Sequence, residues 1–299
     1  MNRGLDSIFR VFAAGGYSSC FMHPGQSWFY NRENVYSWLG ADESLFAEDF
    51  SELEYKGSWV TDESVLRELE NRYEQKSADG GLDFTYAVTI QNHMSYTEEK
   101  YGDYACPEVE TTAELSPEIQ TAVNVYAEGI RDANAMLAEL TEFYSAQEEP
   151  VLLLFFGDHL PYLGDNRQGY IELGLPAAEI YGGEDPYAAY TAPFLLWCNE
   201  AAAQELDFEA AIEALELPGD GRISACYLGA AVLELCGRGE VSPWFGYLNE
   251  MRRELPIMHG GVFETADGAL TTELSGEQAQ LLSKMRCWAY YKLRYGTVG

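Results

Sequence analysis

The chain has only four histidines in 299 residues, and three of them, His23, His93 and His159, directly follow strand-like apolar segments. In an open α/β sheet, ligands bind outside the carboxyl ends of the strands, so three parallel neighbouring strands would bring these imidazoles to one rim. Asp158-His159 is the sharpest element. A hard oxygen donor beside a nitrogen donor suits one divalent cation, and Gly157 permits the tight turn that would aim them. The same pair also reads as an ordinary polar loop after a buried strand. His93, preceded by Asn92, can donate to an anionic oxygen or be a satisfied loop histidine, and His23 carries the same two readings. The run from His23 to Tyr36, HPGQSWFYNRENVY, crowds Trp28, Phe29 and Tyr30 ahead of Asn31-Arg32. Arg32 offers a planar fork of donors that fits phosphate or sulfate, with the aromatics as a wall for glycerol or a sugar. The competing reading is an aromatic mini-core with Arg32 in a structural ion pair.

Several other chemistries are missing their signatures. No G-x-G-x-x-G, P-loop or H-E-x-x-H occurs. Gly16 to Cys20 misses G-x-S-x-G at its last position and lies before a strand rather than after one. His259, in a glycine-flanked loop, has no assigned role.

The elements that must hold these residues alternate between helix and strand, which points to an α/β fold. A helix is expected over Leu5 to Ala14 and a strand over Tyr17 to Met22. A second helix spans about Glu63 to Gln75, and Phe84 to Ile90 is β-branched and aromatic, hence a strand. Ser116-Pro117-Glu118 reads as a helix start, with Val123, Tyr126, Ile130, Leu137 and Leu140 along one face. Val151 to Phe156 is continuously apolar, as in a central strand covered on both faces. Pro193 to Cys198 reads as a strand nearer an edge. Beyond about residue 200 the chain turns Ala/Glu-rich, with helices expected over Ile223 to Leu235 and Glu277 to Arg294. This divides it into a domain over 1–200 and a helical or mixed subdomain over 201–299.

Composition sets bounds. Apolar residues make up 47% of the chain, enough for a sizeable core. No segment approaches the roughly 20 apolar residues of a membrane span, and no signal peptide is visible. With 49 acidic and 18 basic residues the net charge is −31, which excludes a nucleic-acid binder and makes an anionic membrane repel the body of the protein. The six cysteines form no C-x-x-C pair and read as small buried hydrophobes.

Three segments carry a family resemblance. FMHPGQSWFYNRENVYSWLGAD resembles the substrate-binding segment of lipoteichoic acid synthase-like phosphoglycerol transferases, in the alkaline phosphatase and sulfatase superfamily. TIQNHMSY is similar to that family's strand followed by S/T-N-H, and FFGDHLPYLGDN to its metal-binding G-D-H segment. The resemblance implies a mainly parallel sheet flanked by helices, with a C-terminal extension. It implies His23, Phe29, Tyr30, Arg32 and His93 as substrate contacts, and Asp158 and His159 as ligands to Mn2+ or Mg2+. It further implies a phosphatidylglycerol or glycerophosphate head group as partner, at the extracellular face of a bacterial membrane reached through upstream membrane helices.

Tyr30 stands where the family pattern commonly has tryptophan, and Cys106-Pro107 lacks the C-x-P-x-R pattern of true sulfatases. The family's threonine nucleophile and a glutamate ligand precede the histidine matched to His23, yet the 22 residues before His23 contain neither threonine nor glutamate. The expectation is therefore a chain lacking the N-terminal strand and nucleophile helix, with an open sheet edge and no catalysis of its own. The alternatives are a non-catalytic anion- or glycerophosphate-binding remnant, or another hydrolase of the superfamily.

Overall fold

The computed structural model describes residues 5–180 and 183–296. Helix α1 (Ile8–Ala14) starts three residues later than expected because Ser7 caps it, its hydroxyl accepting the Arg10 N–H at 3.3 Å. The chain then forms β1 (Ser18–Met22), α2 (Arg32–Leu39), β2 (Glu43–Leu45), β3 (Tyr55–Lys56) and β4 (Trp59–Val60). Next come α3 (Asp62–Ala78), β5 (Asp83–Ala87), α4 (Pro117–Ser145), β6 (Leu152–Phe156), α5 (Gln168–Glu172) and β7 (Phe194–Cys198). The remainder is α6 (Glu200–Leu206), α7 (Phe208–Ala214), α8 (Ala225–Leu235), α9 (Pro243–Glu254), β8 (Ile257–His259), β9 (Val262–Glu264), β10 (Leu270–Thr271) and α10 (Gly276–Tyr295).

The order β2-β1-β5 makes a parallel sheet with β1 in the middle, Cys20 facing Glu43 on one side and Thr85 on the other. Parallel strands need cover on both faces. Phe9 and Phe84 pack with Phe21 on one side, and Val65 and Leu69 with Met22 and Ala87 on the other. At the amino end of the sheet the buried Arg72 ties the outer strands together. Its Nη2 donates to Asp83 at 2.6 Å and its Nη1 to Glu43 at 2.6 Å.

β6 departs from the expected arrangement. Among the described residues it pairs with β7 alone, antiparallel, through Leu152↔Cys198 to Phe156↔Phe194. Both faces are covered, Leu153 and Phe155 by Met136, Leu140 and Tyr144, and Leu152 with Leu196 by Leu215 and Leu235. Even so, Leu152 to Phe155 are half-buried and Phe156 is exposed, because one long edge has no ladder among the described residues. Beyond β6, Asp158 lies within electrostatic reach of Tyr86 on β5.

The C-terminal elements share a core with the start of the chain. Tyr227, Leu233, Leu248 and Met251 pack against Val11 and Phe12, while Trp288 on α10 donates to Asp6 at 3.1 Å. All six cysteines are unpaired, and no described helix is long and apolar enough to cross a membrane.

On α4 the buried stripe runs through Ile119, Ala122, Val125, Met136, Leu140 and Tyr144, whereas Ile130, expected on it, is exposed. The stripe is shifted because Glu128 and Gly129 face inward, where the 91–101 loop docks. A Cβ on Gly129 would lie 2.1 Å from Asn92 Oδ1 and 2.7 Å from the Tyr101 hydroxyl. In an exposed helix interior Gly→Ala stabilises by about 1 kcal/mol. Here overpacking of roughly 1–3 kcal/mol wins, so Gly129→Ala should lower stability in urea unfolding. A stabilised variant would contradict this docking geometry.

Candidate functional site

β1 is buried throughout its carboxyl half, and the chain stays buried one residue beyond it: Phe21 is 1%, Met22 0% and His23 2% exposed. The backbone holds His23 in strand register, its N–H donating to Leu45 O at 2.9 Å. Its Nδ1 accepts the Gly25 N–H at 2.7 Å. That bond fixes the tautomer: Nδ1 is the acceptor and Nε2 carries the hydrogen. Burial, reinforced by the Arg32 guanidinium, lowers the imidazole from 6.5 to about 4, so His23 is neutral at pH 7. Gly25 makes the arrangement possible, since a Cβ there would sit 2.8 Å from His23 Cε1 and 3.8 Å from Arg32 Nη1.

Arg32 opens α2 just after Tyr30 and Asn31, both left-handed at φ 55° and 57°. Its guanidinium lies 5.4 Å from the Phe29 ring centroid and 5.3 Å from that of Tyr30. The aromatic mini-core reading does not survive: Trp28, Phe29 and Tyr30 are 69%, 47% and 78% exposed. Nor does the structural ion pair, since no carboxylate lies within salt-bridge distance of Arg32 among the described residues, although Arg67, Arg72, Arg222 and Arg253 each have two or more.

His93 lies beyond β5 and is exposed. Its ring stacks on Trp59 at 5.8 Å, and its Nδ1 bonds the Met94 carbonyl at 2.8 Å. With Nδ1–H donating, Nε2 holds a lone pair, the opposite tautomer to His23. His159 matches His93: Nδ1 bonds Leu160 O at 2.9 Å, leaving the Nε2 lone pair 3.5 Å from Asp158 Oδ2. A backbone carbonyl on the far ring nitrogen is the usual support of a metal-ligating histidine. The pair thus fits a divalent cation in chemistry and spacing. Among the described residues no cluster of three or more His, Cys, Asp or Glu is arranged to hold one, so the pair on its own offers two donors.

The structure brings His23, Phe29, Tyr30 and Arg32 into one group, and Asp158 with His159 into another. Tyr36 lies near Arg32, and its ring is 6.2 Å from Tyr86. Asp158 lies near both Tyr86 and Tyr96, and the Tyr96 hydroxyl donates to Asn92 O at 2.9 Å. Sequence reasoning missed Trp59, Lys100 and Asp62 behind His93, because an isolated Trp or Lys carries no spacing signal.

A sulfatase family model matches residues 2–237. The chain belongs to the sulfatase family. It is 26% identical over 237 residues to a Rhizobium meliloti (strain 1021) protein assigned provisionally to cyclic beta-1,2-glucan modification, covering 78% of this chain and 34% of that one. The chain therefore spans about a third of this curated relative. Among solved structures, Streptococcus pyogenes phosphoglycerol transferase GacH in complex with sn-glycerol-1-phosphate superposes with a TM-score of 0.63 at 19% identity. The match covers 92% of this chain and 61% of GacH. The lipoteichoic acid synthase LtaP from Listeria monocytogenes gives 0.60 at 16% identity, over 98% and 73%. At these identities the two structures establish a shared α/β sulfatase-family fold.

The buried neutral His23 has a measurable signature. Its folded value of about 4 lies below the unfolded 6.5, so between these the unfolded chain binds the extra proton. The stability it contributes is present above pH 6.5 and is lost as pH falls toward 4. His23→Gln should flatten that part of the pH–stability curve, measured by urea unfolding at fixed pH values. An unchanged slope would refute a neutral His23.

Proposed function

We propose that this chain forms the glycerophosphate-binding and partial metal-binding part of a phosphoglycerol transferase or phosphodiesterase of the lipoteichoic acid synthase kind, acting on a phosphatidylglycerol head group. The observation that carries the reading is Arg32. It is a guanidinium with no carboxylate partner among the described residues of a chain with 49 acidic residues, held beside a neutral histidine at the carboxyl end of a central parallel strand. An unpaired cation in so acidic a protein suits an anionic ligand. GacH, which shares the fold, is described in complex with sn-glycerol-1-phosphate.

In this reading Arg32 grips the phosphate oxygens and His23 orients the group through its Nε2–H. Phe29 and Tyr30 flank the guanidinium and wall the glycerol. His93, with its outward lone pair, accepts a hydrogen bond from a glycerol hydroxyl. Asp158 and His159 would hold Mn2+ or Mg2+, which when bound neutralises phosphate charge and activates an attacking oxygen. No nucleophile is assigned among this chain's residues. The 299-residue chain is proposed to bind glycerophosphate without turning over a phosphodiester, and a longer enzyme would work at the outer face of a bacterial membrane.

Calorimetry with sn-glycerol 1-phosphate tests the reading. The wild-type chain should bind, and Arg32→Ala should weaken binding by roughly ten- to a hundredfold, the worth of one charge-assisted contact. Equal affinity in the variant would remove the basis of the proposal. Separately, Mn2+ titration followed by electron paramagnetic resonance should show binding that His159→Ala abolishes. Undiminished Mn2+ binding by that variant would dissociate the metal from the Asp158–His159 pair.

A further inference from the structure

A buried polar cluster lies directly behind the His93 turn. Lys100 is 5% exposed, and its ammonium sits 3.8 Å from the centroid of Trp59. It donates one hydrogen bond, to the carbonyl oxygen of His93. Trp59 is the ring on which the His93 imidazole stacks, so a single indole contacts both the ammonium and the imidazole. Deeper in, Asp62 is 2% and Gln91 1% exposed. The Asp62 N–H donates to Gln91 Oε1 at 2.8 Å, and Gln91 donates to Asp132, which also accepts from Lys56 at 2.6 Å. Asp62 Oδ1 and the Tyr101 hydroxyl are buried without a hydrogen-bond partner.

This is an expensive way to pack a loop. An ammonium faced by the Trp59, Tyr96 and Tyr101 rings, with one hydrogen bond and no carboxylate within salt-bridge distance among the described residues, carries a desolvation cost that a methionine of similar shape would avoid. Burial accordingly pulls Lys100 down to about 8, opposed by the negative charge of Asp62. The single hydrogen bond that Lys100 makes ends on His93, whose side chain is exposed. Its worth is then geometric: it fixes the His93 carbonyl, while its ring contact fixes Trp59 and so the plane of the imidazole.

We propose that Lys100 is a positioning residue that, together with Trp59, holds the His93 imidazole with its Nε2 lone pair outward for a ligand hydroxyl. The inference rests on the reading of His93 as the glycerol contact. It distinguishes two parts of one ligand: the phosphate belongs to Arg32 and His23, and the glycerol hydroxyl to the Lys100–Trp59–His93 stack.

The experiment compares wild type with Lys100→Met, Lys100→Arg and Arg32→Ala in two measurements. The His93 ring resonances are recorded by NMR without ligand, and affinities are measured for sn-glycerol 1-phosphate and for inorganic phosphate. Lys100→Met should shift and broaden the His93 ring signals and weaken glycerol phosphate about tenfold, one lost hydrogen bond, with phosphate affinity unchanged. Lys100→Arg, which keeps the cation, should restore part of both effects, whereas Arg32→Ala should weaken both ligands equally. Should Lys100→Met fail to fold, Trp59→Phe, which keeps a stacking face, gives a smaller shift of the same kind. Unmoved His93 signals in a folded variant overturn the proposal, as does equal weakening of the two ligands. Failure of wild type to bind either ligand would sink the functional reading instead, and the ring signals would still decide whether Lys100 sets the imidazole.

Discussion

The rim depends on how β1 is held. It is the middle strand of a three-stranded parallel sheet, paired on both edges, with Cys20, Phe21 and Met22 no more than 1% exposed. A strand so constrained leaves no freedom in where its last residue emerges. The Leu45 carbonyl takes the His23 N–H, the Gly25 turn brings an N–H back onto its Nδ1, and Arg32 arrives at the start of the following helix. Burial keeps the imidazole neutral, and neutrality lets it sit beside a guanidinium without repulsion. Each step follows from the one before, and none needs a ligand to hold it in place.

The tautomers give the site a direction. His23 presents Nε2–H, a donor, whereas His93 and His159 have their Nδ1 hydrogens tied to backbone carbonyls and present lone pairs. A donor beside an unpaired guanidinium selects negative oxygen. A lone pair in the open selects a hydroxyl or a metal ion. In the proposed reading a molecule carrying both phosphate and hydroxyl groups meets these demands, with Arg32 as the cation for its phosphate.

Much of this was legible in the sequence where local chemistry dominates. Strand composition and the residues that end each strand located β1, β5 and β6 within one to three residues; His23 follows β1 directly, whereas His159 lies three residues beyond β6 and His93 six beyond β5. Family membership followed from the motifs around His23, His93 and Asp158. What was not legible arises from contacts between distant segments. The apolar run before Gly157 gave no hint that β6 would pair with β7 rather than join the parallel ladder, because apolar runs carry no partner information. Gly129 looks like a helix defect until Asn92 and Tyr101 are seen to occupy its missing Cβ. The aromatic run Trp28 to Tyr30 fitted a small core equally well, and only its exposure removes that reading. Lys100 and Asp62 gave no signal because their burial is set by α4 and the 91–101 loop closing over them.

With four histidines in the chain, long-range 1H–15N correlation NMR of the imidazoles at pH 7, with and without sn-glycerol 1-phosphate, tests the account most directly. The predicted spectrum has His23 neutral with hydrogen on Nε2, hydrogen-bearing Nδ1 at His93 and His159, and movement of the His23 and His93 signals on titration with the ligand. A protonated His23, a reversed tautomer, or signals that ignore the ligand would contradict an anion site at this rim.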